Sequence, residues 1–429
     1  MTEGGLVPLG GEQNNYYLIG VTHHGRNIDV SFHHGLTDGR GIKSFVETLI
    51  YYYCKQAFDS CADSEGILTN DTDIDISETA EPFDEKYKVD KTKLDRIEGV
   101  SRKGFTLPET KAPKSSHRRY EIKFPQKAFI DLCKQNGASP VIMLSVMMSR
   151  AIKELYPDCD ETINSNFPVD ARAALGVNGT YKNCVKSISL PFSSKEQAMS
   201  TEELCRYYKE LMNKQRDPER CKDEFNKIIM LLNMISHLHS FKKKRMIMRF
   251  LDDLKLDTYL ISYIGQFDLN ENERFVDSVH LFSDCSDGLV MNMTCQCGFF
   301  CIDFVQDFEG DKYINALAKQ LENAGLPLSV SEEIVFSTPH DMLMTDMPAH
   351  EGVAQQSFID KTIGANIAAY KLIEHGTVSC YKTIENGFVR AFLAKKGETV
   401  DDAKLRLADE QIERLNTKIS KLKELSHAA

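Results

Sequence analysis

Apolar side chains at Ile42, Phe45, Val46, Leu49, Ile50 and Tyr53 recur at three- and four-residue steps. That spacing predicts an amphipathic helix over about 41–58 with one stripe turned to a core. Ahead of it, residues 15–21 and 28–33 read as two strands joined by the turn HHGRN. Further along, YEIKF predicts a short strand and residues 126–135 a helix ended by Asn136-Gly137. Ser139-Pro140 supplies an N-cap followed by a proline at the first helical position, opening a helix to about 155. Strands are expected at 161–167, 185–190, 258–263, 276–282, 289–297 and 299–304. Helices are expected at 201–216, 219–239 and 311–324. Strands mixed with amphipathic helices, without strict alternation, indicate an α/β fold, an α+β sandwich.

Two stretches break this pattern. Residues 59–118 collect Asp59, Asp63, Glu65, Asp71, Asp73, Asp75, Glu78, Glu81, Asp84 and Glu85 among Ser and Thr, with basic residues gathered at 111–119. This reads as an acidic crossover or linker, mobile in part. From residue 401 a charged helix carries Ala408, Ile412, Leu415, Ile419 and Leu422 at alternating four- and three-residue steps. Two heptads suffice for a docking helix or a short contact with a copy or a partner. The expected organisation is a partial N-terminal lobe over 1–58, the linker over 59–118, a C-terminal lobe over 119–336 and an extension over 337–429.

Composition narrows the function. Hydrophobic content of 42% and charged content of 27% describe a globular chain of 429 residues. A net charge of -11 argues against nucleic acid as a partner. The longest apolar run, 228–235, is broken by Asn233 and reads as a core helix, so no membrane span is expected. The N-terminus MTEGGLVPLG has neither a basic n-region nor an apolar h-region. Twelve scattered cysteines then read as reduced thiols in a cytoplasmic protein.

The string with the most chemistry is HHGLTDG, residues 33–39, set between a strand and an amphipathic helix. A neutral imidazole accepts a proton from a hydroxyl, amine or thiol as that group attacks a carbonyl. Asp38-Gly39 gives a tight bend and a carboxylate able to hold the loop. Histidines ending a strand are usually structural, but the whole string in this context favours a site. His23-His24 lacks an Asp-Gly partner and falls in the expected hairpin turn. Adjacent strand residues point to opposite faces, so the two histidine pairs do not make a metal site. Cys295 and Cys297 share a face of one expected strand, with Cys301 nearby, and read as buried strand thiols rather than zinc ligands. The run 242–245, KKKR, reads as a solvated helix face.

HHGLTDG, the segment Pro168-Val169-Asp170-Ala171-Arg172 and the segment Ser262-Tyr263-Ile264-Gly265 together resemble the CoA-dependent acyltransferase superfamily. That superfamily includes chloramphenicol acetyltransferase and peptide-synthetase condensation domains, and the bacterial alcohol-acetyltransferase-like branch is the nearest in look. Asn183, in YKNCVKSISL, sits where that branch has an Asn before a strand. The resemblance covers about residues 5–335 and implies two similar lobes meeting at a tunnel. It implies acyl transfer, of acetyl in the first instance, from CoA as co-substrate to a small alcohol or amine, with no bound cofactor or metal. It makes His34 the general base, Asp38 a structural brace held through an Arg such as Arg172, and His33 supporting. Gly39, Arg172, Asn183, Ser262 and Gly265 would line the binding region, with Ser262 a candidate oxyanion donor. Members of the superfamily carry on the order of a hundred residues before this motif, nearly a small domain. Here 32 precede it, so the first lobe is expected to be incomplete. The competing expectation is therefore an inactive fragment that binds acyl-CoA or a partner.

Overall fold

The computed structural model describes residues 15–58, 64–82 (except 74), 97, 100, 104–111, 117–226, 257–283 and 288–336. It also describes 2–3, 9–10, 399 and 402. The expected run 228–235, the basic run 242–245, most of helix 219–239, the segment 337–398 and the terminal helix lie outside the described residues.

The described residues form two sheets. A three-stranded sheet is built from β1 (Thr2–Glu3), β2 (Ile19–His24) and β3 (Asn27–Phe32), in that order. β2 and β3 form an antiparallel hairpin in which His24 pairs with Asn27. The turn is therefore only Gly25-Arg26, not HHGRN. Gly25 takes φ +55°, the left-handed conformation that lets a two-residue turn match the strand twist. His23 and His24 consequently belong to the strand, and His24 is tied to Asp29 at 3.0 Å and Asn27 at 3.1 Å. α1 (Gly39–Ala57) follows directly.

The larger sheet has eight strands: β4 (His117–Pro125), β5 (Ile163–Asp170), β6 (Val185–Phe192), β7 (Tyr259–Tyr263), β8 (Leu289–Gln296), β9 (Phe299–Gln306), β10 (Ser329–Val330) and β11 (Ile334–Phe336). Their order is β10-β4-β9-β8-β7-β5-β6, with β11 also on β4. β7 runs parallel to β5 and β8, while the remaining pairs are antiparallel. The mixed α/β expectation is met. The strand expected at 161–167 extends to Asp170, so Pro168-Val169-Asp170 lies inside β5.

The two faces of this sheet differ. Ile122, Phe124, Tyr259, Ile261, Ile188, Leu190, Met291, Met293, Phe300, Ile302 and Phe304 are buried in the main core. Against them pack α2 (Gln126–Gln135), α3 (Pro140–Leu155), α6 (Thr201–Gln215) and α7 (Lys312–Asn323); the short helices α4 (Arg172–Leu175) and α5 (Ser194–Gln197) lie between strands and these helices in the chain. α3 is capped as its sequence predicts, Ser139 Oγ accepting from Ile142 N at 3.4 Å. Phe105 and Leu107, from within the acidic stretch, join the same core, and Phe105 N donates to Thr162 O at 2.7 Å. The opposite face presents Asn164, Asn166, Ser187, Ser189, Asn292, Thr294 and Asp303, all buried.

Residues 276–282 do not form the expected strand. They lie across the polar face, and side chains rather than a strand satisfy their backbone: Leu281 N donates to Asp303 Oδ2 at 3.1 Å and Val279 O accepts from Thr294 Oγ1 at 2.6 Å. Val276, Val279, Leu281 and Phe282 fit a covering segment as well as a ladder. The cysteine expectation is corrected likewise. β8 ends at Gln296, and Cys297 sits in the hairpin turn at φ +54°. Cys301 pairs with Thr294, so it faces away from Cys295. The nine described cysteines are free thiols.

The aromatic centre of the core carries a stability prediction. Phe300, fully buried, lies 5.7 Å from Phe124, 5.2 Å from Phe129 and 6.1 Å from Tyr263, ring centre to ring centre. Phe300→Ala is expected to lower unfolding stability by about 3–5 kcal/mol in urea titration, because its neighbours on three elements cannot close the cavity together.

Candidate active site

Two segments more than 130 residues along the chain, the end of β5 with Arg172 and TYKNC at 180–184, meet HHGLTDG at the start of α1. Asp38 joins them. It is fully buried and caps α1, its Oδ1 accepting from Arg40 N at 3.0 Å and Gly41 N at 2.8 Å. The same oxygen accepts from Arg172 NH2 at 2.8 Å, and Oδ2 accepts from Cys184 N at 2.7 Å. With four donors aimed at it, this carboxylate holds structure and is not free to meet a substrate.

Arg172, 2% exposed, is spent in the same way. Its Nε donates to Thr180 O at 2.8 Å, NH1 to Asp170 Oδ1 at 2.9 Å and NH2 also to Lys182 O at 2.7 Å. Burial opposes its charge, but the surrounding negative groups, Asp38 foremost and Asp170 after it, together hold the guanidinium above its ordinary pKa. Arg172 thus lies behind the site, as a partner of Asp38, and not on a surface that a ligand reaches. Cys184 is buried beside the pair, and burial pushes its thiol up to about 12.

Thr37 and Gly41 complete the seam. Thr37 Oγ1 donates to Tyr181 O at 2.6 Å. A Cβ on Gly41 would lie 2.1 Å from that same carbonyl oxygen, so only glycine allows the helix to come this close. Beyond TYKNC, the 3₁₀ turn Ile76–Thr79 closes the other side: Tyr181 N donates to Glu78 O at 3.0 Å, and Thr180 Oγ1 to Ala80 O at 2.7 Å.

His34 emerges from this brace partly exposed, its ring 6.2 Å from that of Phe32. Asn183 Nδ2 lies 3.0 Å from its Nδ1 and 3.0 Å from its carbonyl oxygen. Burial lowers the ring's pKa to about 4, against smaller opposing effects of its own carbonyl and of Asp38. At neutral pH His34 is an uncharged imidazole. His33 turns elsewhere: its Nδ1 accepts from Gly35 N at 3.0 Å, and burial lowers its pKa as well.

Ser262 and Gly265 approach from β7. Ser262 lies on the polar face in register with Asn292, and Gly265 turns the chain at φ +80°. Between them Ile264 fills the space beside Gly39, where a Cβ would lie 2.4 Å from its Cγ2. Sequence reasoning found the motif residues but not this Ile264 contact, nor the pair Lys43 and Glu47 one turn into α1. Lys43 Nζ donates to Gln266 O at 2.5 Å, and Glu47 Oε1 accepts from Asp268 N at 2.8 Å. The buried face of α1 is turned from the expected stripe: Lys43, Glu47, Tyr51 and Cys54 are buried with Ile42, while Phe45 and Tyr53 of the stripe are exposed.

Away from this site, Glu121, His280 and Asp303 bring one ligand-type atom each within 4.8 Å of one another. Arg119 already supplies the cation there. Its NH2 lies 2.7 Å from Asp303 Oδ1, 3.1 Å from Glu121 Oε2 and 3.0 Å from His280 Nδ1. Among the described residues no helix is long and apolar enough to cross a membrane.

The Asp38–Arg172 pair generates a direct test. Removing one partner leaves the other charge buried, at a cost of about 3–5 kcal/mol. Arg172→Met is expected to show a loss of that size in chemical denaturation, and Arg172→Met with Asp38→Asn to recover part of it. Equal stability of wild type and Arg172→Met would show that the pair does not hold these segments.

No family model and no curated protein matches this chain. Among solved structures it is similar to that of F. sporotrichioides TRI101 complexed with coenzyme A and T-2, at 13% identity over 74% of this chain and 71% of that chain, with a TM-score of 0.47. It is also similar to the epimerization domain from the third module of tyrocidine synthetase B, at 13% identity, 72% and 70% coverage and a TM-score of 0.43. A third likeness is to polyketide synthase associated protein 5 from Mycobacterium tuberculosis, at 12% identity, 71% and 76% coverage and a TM-score of 0.43.

Proposed function

We propose that this protein is an acyltransferase that moves an acyl group from the thioester of coenzyme A to a hydroxyl or amine, with His34 as general base. The observation that carries this reading is a neutral, partly exposed imidazole held by a carboxamide, on a loop that a buried Asp–Arg pair locks to the helix it caps. A site of this kind offers a proton acceptor of fixed position, which suits direct transfer between two bound substrates.

In the proposed reaction the acceptor oxygen or nitrogen attacks the thioester carbonyl as His34 Nε2 takes its proton. The tetrahedral intermediate then collapses, the carbon–sulfur bond breaks, and the imidazolium returns the proton to the CoA thiolate. Asp38 and Arg172 take no part in proton transfer; they fix the loop. Ser262 is assigned as the oxyanion donor on the motif resemblance alone.

The test is release of free CoA from acetyl-CoA with a panel of alcohols and amines. His34→Ala is expected to lower the rate by about 10²–10⁴, the range ordinarily contributed by a positioned base. Absence of release across the panel with CoA binding retained would instead support a binding module.

The pH profile follows from the lowered pKa. A base must be unprotonated, and His34 with a pKa of about 4 is so throughout the neutral range. The kcat/KM profile is therefore expected to stay flat from neutrality down to about pH 5 and to fall only near pH 4. A limb near pH 6.5, the ordinary histidine value, would contradict the assignment.

A further inference from the structure

Gly39 answers to a neighbour and not to its own backbone. It opens α1 without a left-handed φ, so conformation does not call for glycine there. Space does: a Cβ at this residue would run into Ile264 Cγ2. The Ile264 side chain is therefore pressed against the first residue of the helix. It is fixed there from both sides. Tyr263 pairs with Met293 in the β7–β8 ladder, and Lys43 of α1 donates to Gln266 O at 2.5 Å. The loop that carries His34 is equally compact. Leu36 N donates to His33 O at 2.8 Å, and only Thr37 and Asp38 separate that turn from Gly39. The contact is not sealed in a core. His34, Gly39, Ser262 and Ile264 are all half-buried, while Asp38, Ile261 and Phe267 beside them are buried. A partly open strip thus runs from the imidazole past Gly39 to β7, and a branched side chain with few rotamers closes its far side.

We propose that Ile264 is a specificity-determining residue that limits the length of the acyl group: the chain attached to the thioester carbonyl ends against its side chain, so short acyl groups fit and long ones do not. The inference rests on the acyl-CoA reading of this site. Two features direct the acyl chain, and not the acceptor, to this wall. The attacking acceptor must lie against the His34 ring, because the base has to reach its proton. Ser262, the assigned oxyanion donor, precedes Ile264 by two residues, and side chains two apart along a strand share a face. A carbonyl whose oxygen bonds Ser262 then sets its acyl carbon beside Ile264. The wall excludes by volume. An added methylene must displace a side chain held between the β7–β8 ladder and the Lys43 bond, and a misfit of one methylene in an apolar pocket ordinarily costs about 10–200-fold.

The test is calorimetric titration of the full chain with S-ethyl-, S-butyl- and S-hexyl-CoA, thioethers that bind without reacting, beside CoA release from the matching acyl-CoAs. Wild type is expected to bind S-ethyl-CoA and to lose about tenfold or more in affinity by S-hexyl-CoA. Ile264→Ala is expected to raise the ratio of S-hexyl to S-ethyl affinity by about 10–100-fold. Ile264→Val, which removes one methyl group and keeps the branch, is expected to move the ratio the same way by less, and decides the matter should the alanine variant fail to fold. Gly39→Ala added to Ile264→Ala refills the vacated space from the helix side and is expected to bring the ratio part of the way back. Equal affinity of wild type for all three thioethers, or a ratio unchanged in both Ile264 variants, overturns the proposal. Turnover is a separate readout. A length preference that moves with Ile264, without CoA release from any acyl-CoA, refutes the acyltransferase reading and leaves the assignment of Ile264 standing. Release at the same rate for every length, in wild type and variant alike, does the reverse, and binding of none of the thioethers refutes both.

Discussion

The site depends on one buried ion pair. Asp38 and Arg172 lie 134 positions apart and meet at 2.8 Å, both almost wholly out of water. Such a pair adds little net stability, because the cost of removing both charges from water consumes most of the attraction. What it supplies is register. Each partner also binds backbone on a third segment: Asp38 holds Cys184 N, while Arg172 holds the carbonyls of Thr180 and Lys182. The charges can be satisfied only when the helix cap, the end of β5 and TYKNC are all in place. Asn183 sits inside that closed circuit, and His34 takes its direction from Asn183.

Glycine and threonine sharpen the same arrangement. Gly41 lets α1 approach a carbonyl to a distance that no side chain would permit, and Thr37 returns a hydrogen bond to that carbonyl. The loop carrying the imidazole is thus held by backbone contacts at close range as well as by charge, which is how a base on a loop attains the precision of one on a rigid element.

Much of this was legible in the sequence, and the remainder fails for identifiable reasons. Elements with local punctuation read correctly: Ser139-Pro140 opens α3, and Asn136-Gly137 closes α2. Those signals are short-range, so a linear reading captures them. Segment 276–282 misled because its β-branched and aromatic residues report a buried extended chain, not what the backbone bonds to. The extra strand residues at His23 and His24 were hidden by a turn shorter than polar composition suggested. In the site, His34 and Asp38 stood out as a motif, and Arg172 became a partner of Asp38 only through a resemblance. The donors at Cys184 N, the acceptors at 180–182 and the Ile264 contact are backbone or packing features, and residue identity does not encode them. Nor does it encode the direction of the Asn183 amide, which a main-chain N–H at Val185 decides.

The polar face of the large sheet has a consequence of its own. Its cover, residues 266–283, is attached mostly through single side chains: Lys43 and Glu47 at one end, Gln296 and Glu273 near the middle, Asp303 and Thr294 at the other. No strand ladder joins it to the sheet beneath, although Phe267, Leu269 and Asn272 within it are buried. Its amides should exchange with solvent through local opening, while those of β8 and β9, paired along their whole length, wait for global unfolding. The fold thus sets a hydrogen-bonded floor beside a cover held by side chains, with buried asparagines, serines and threonines between the two.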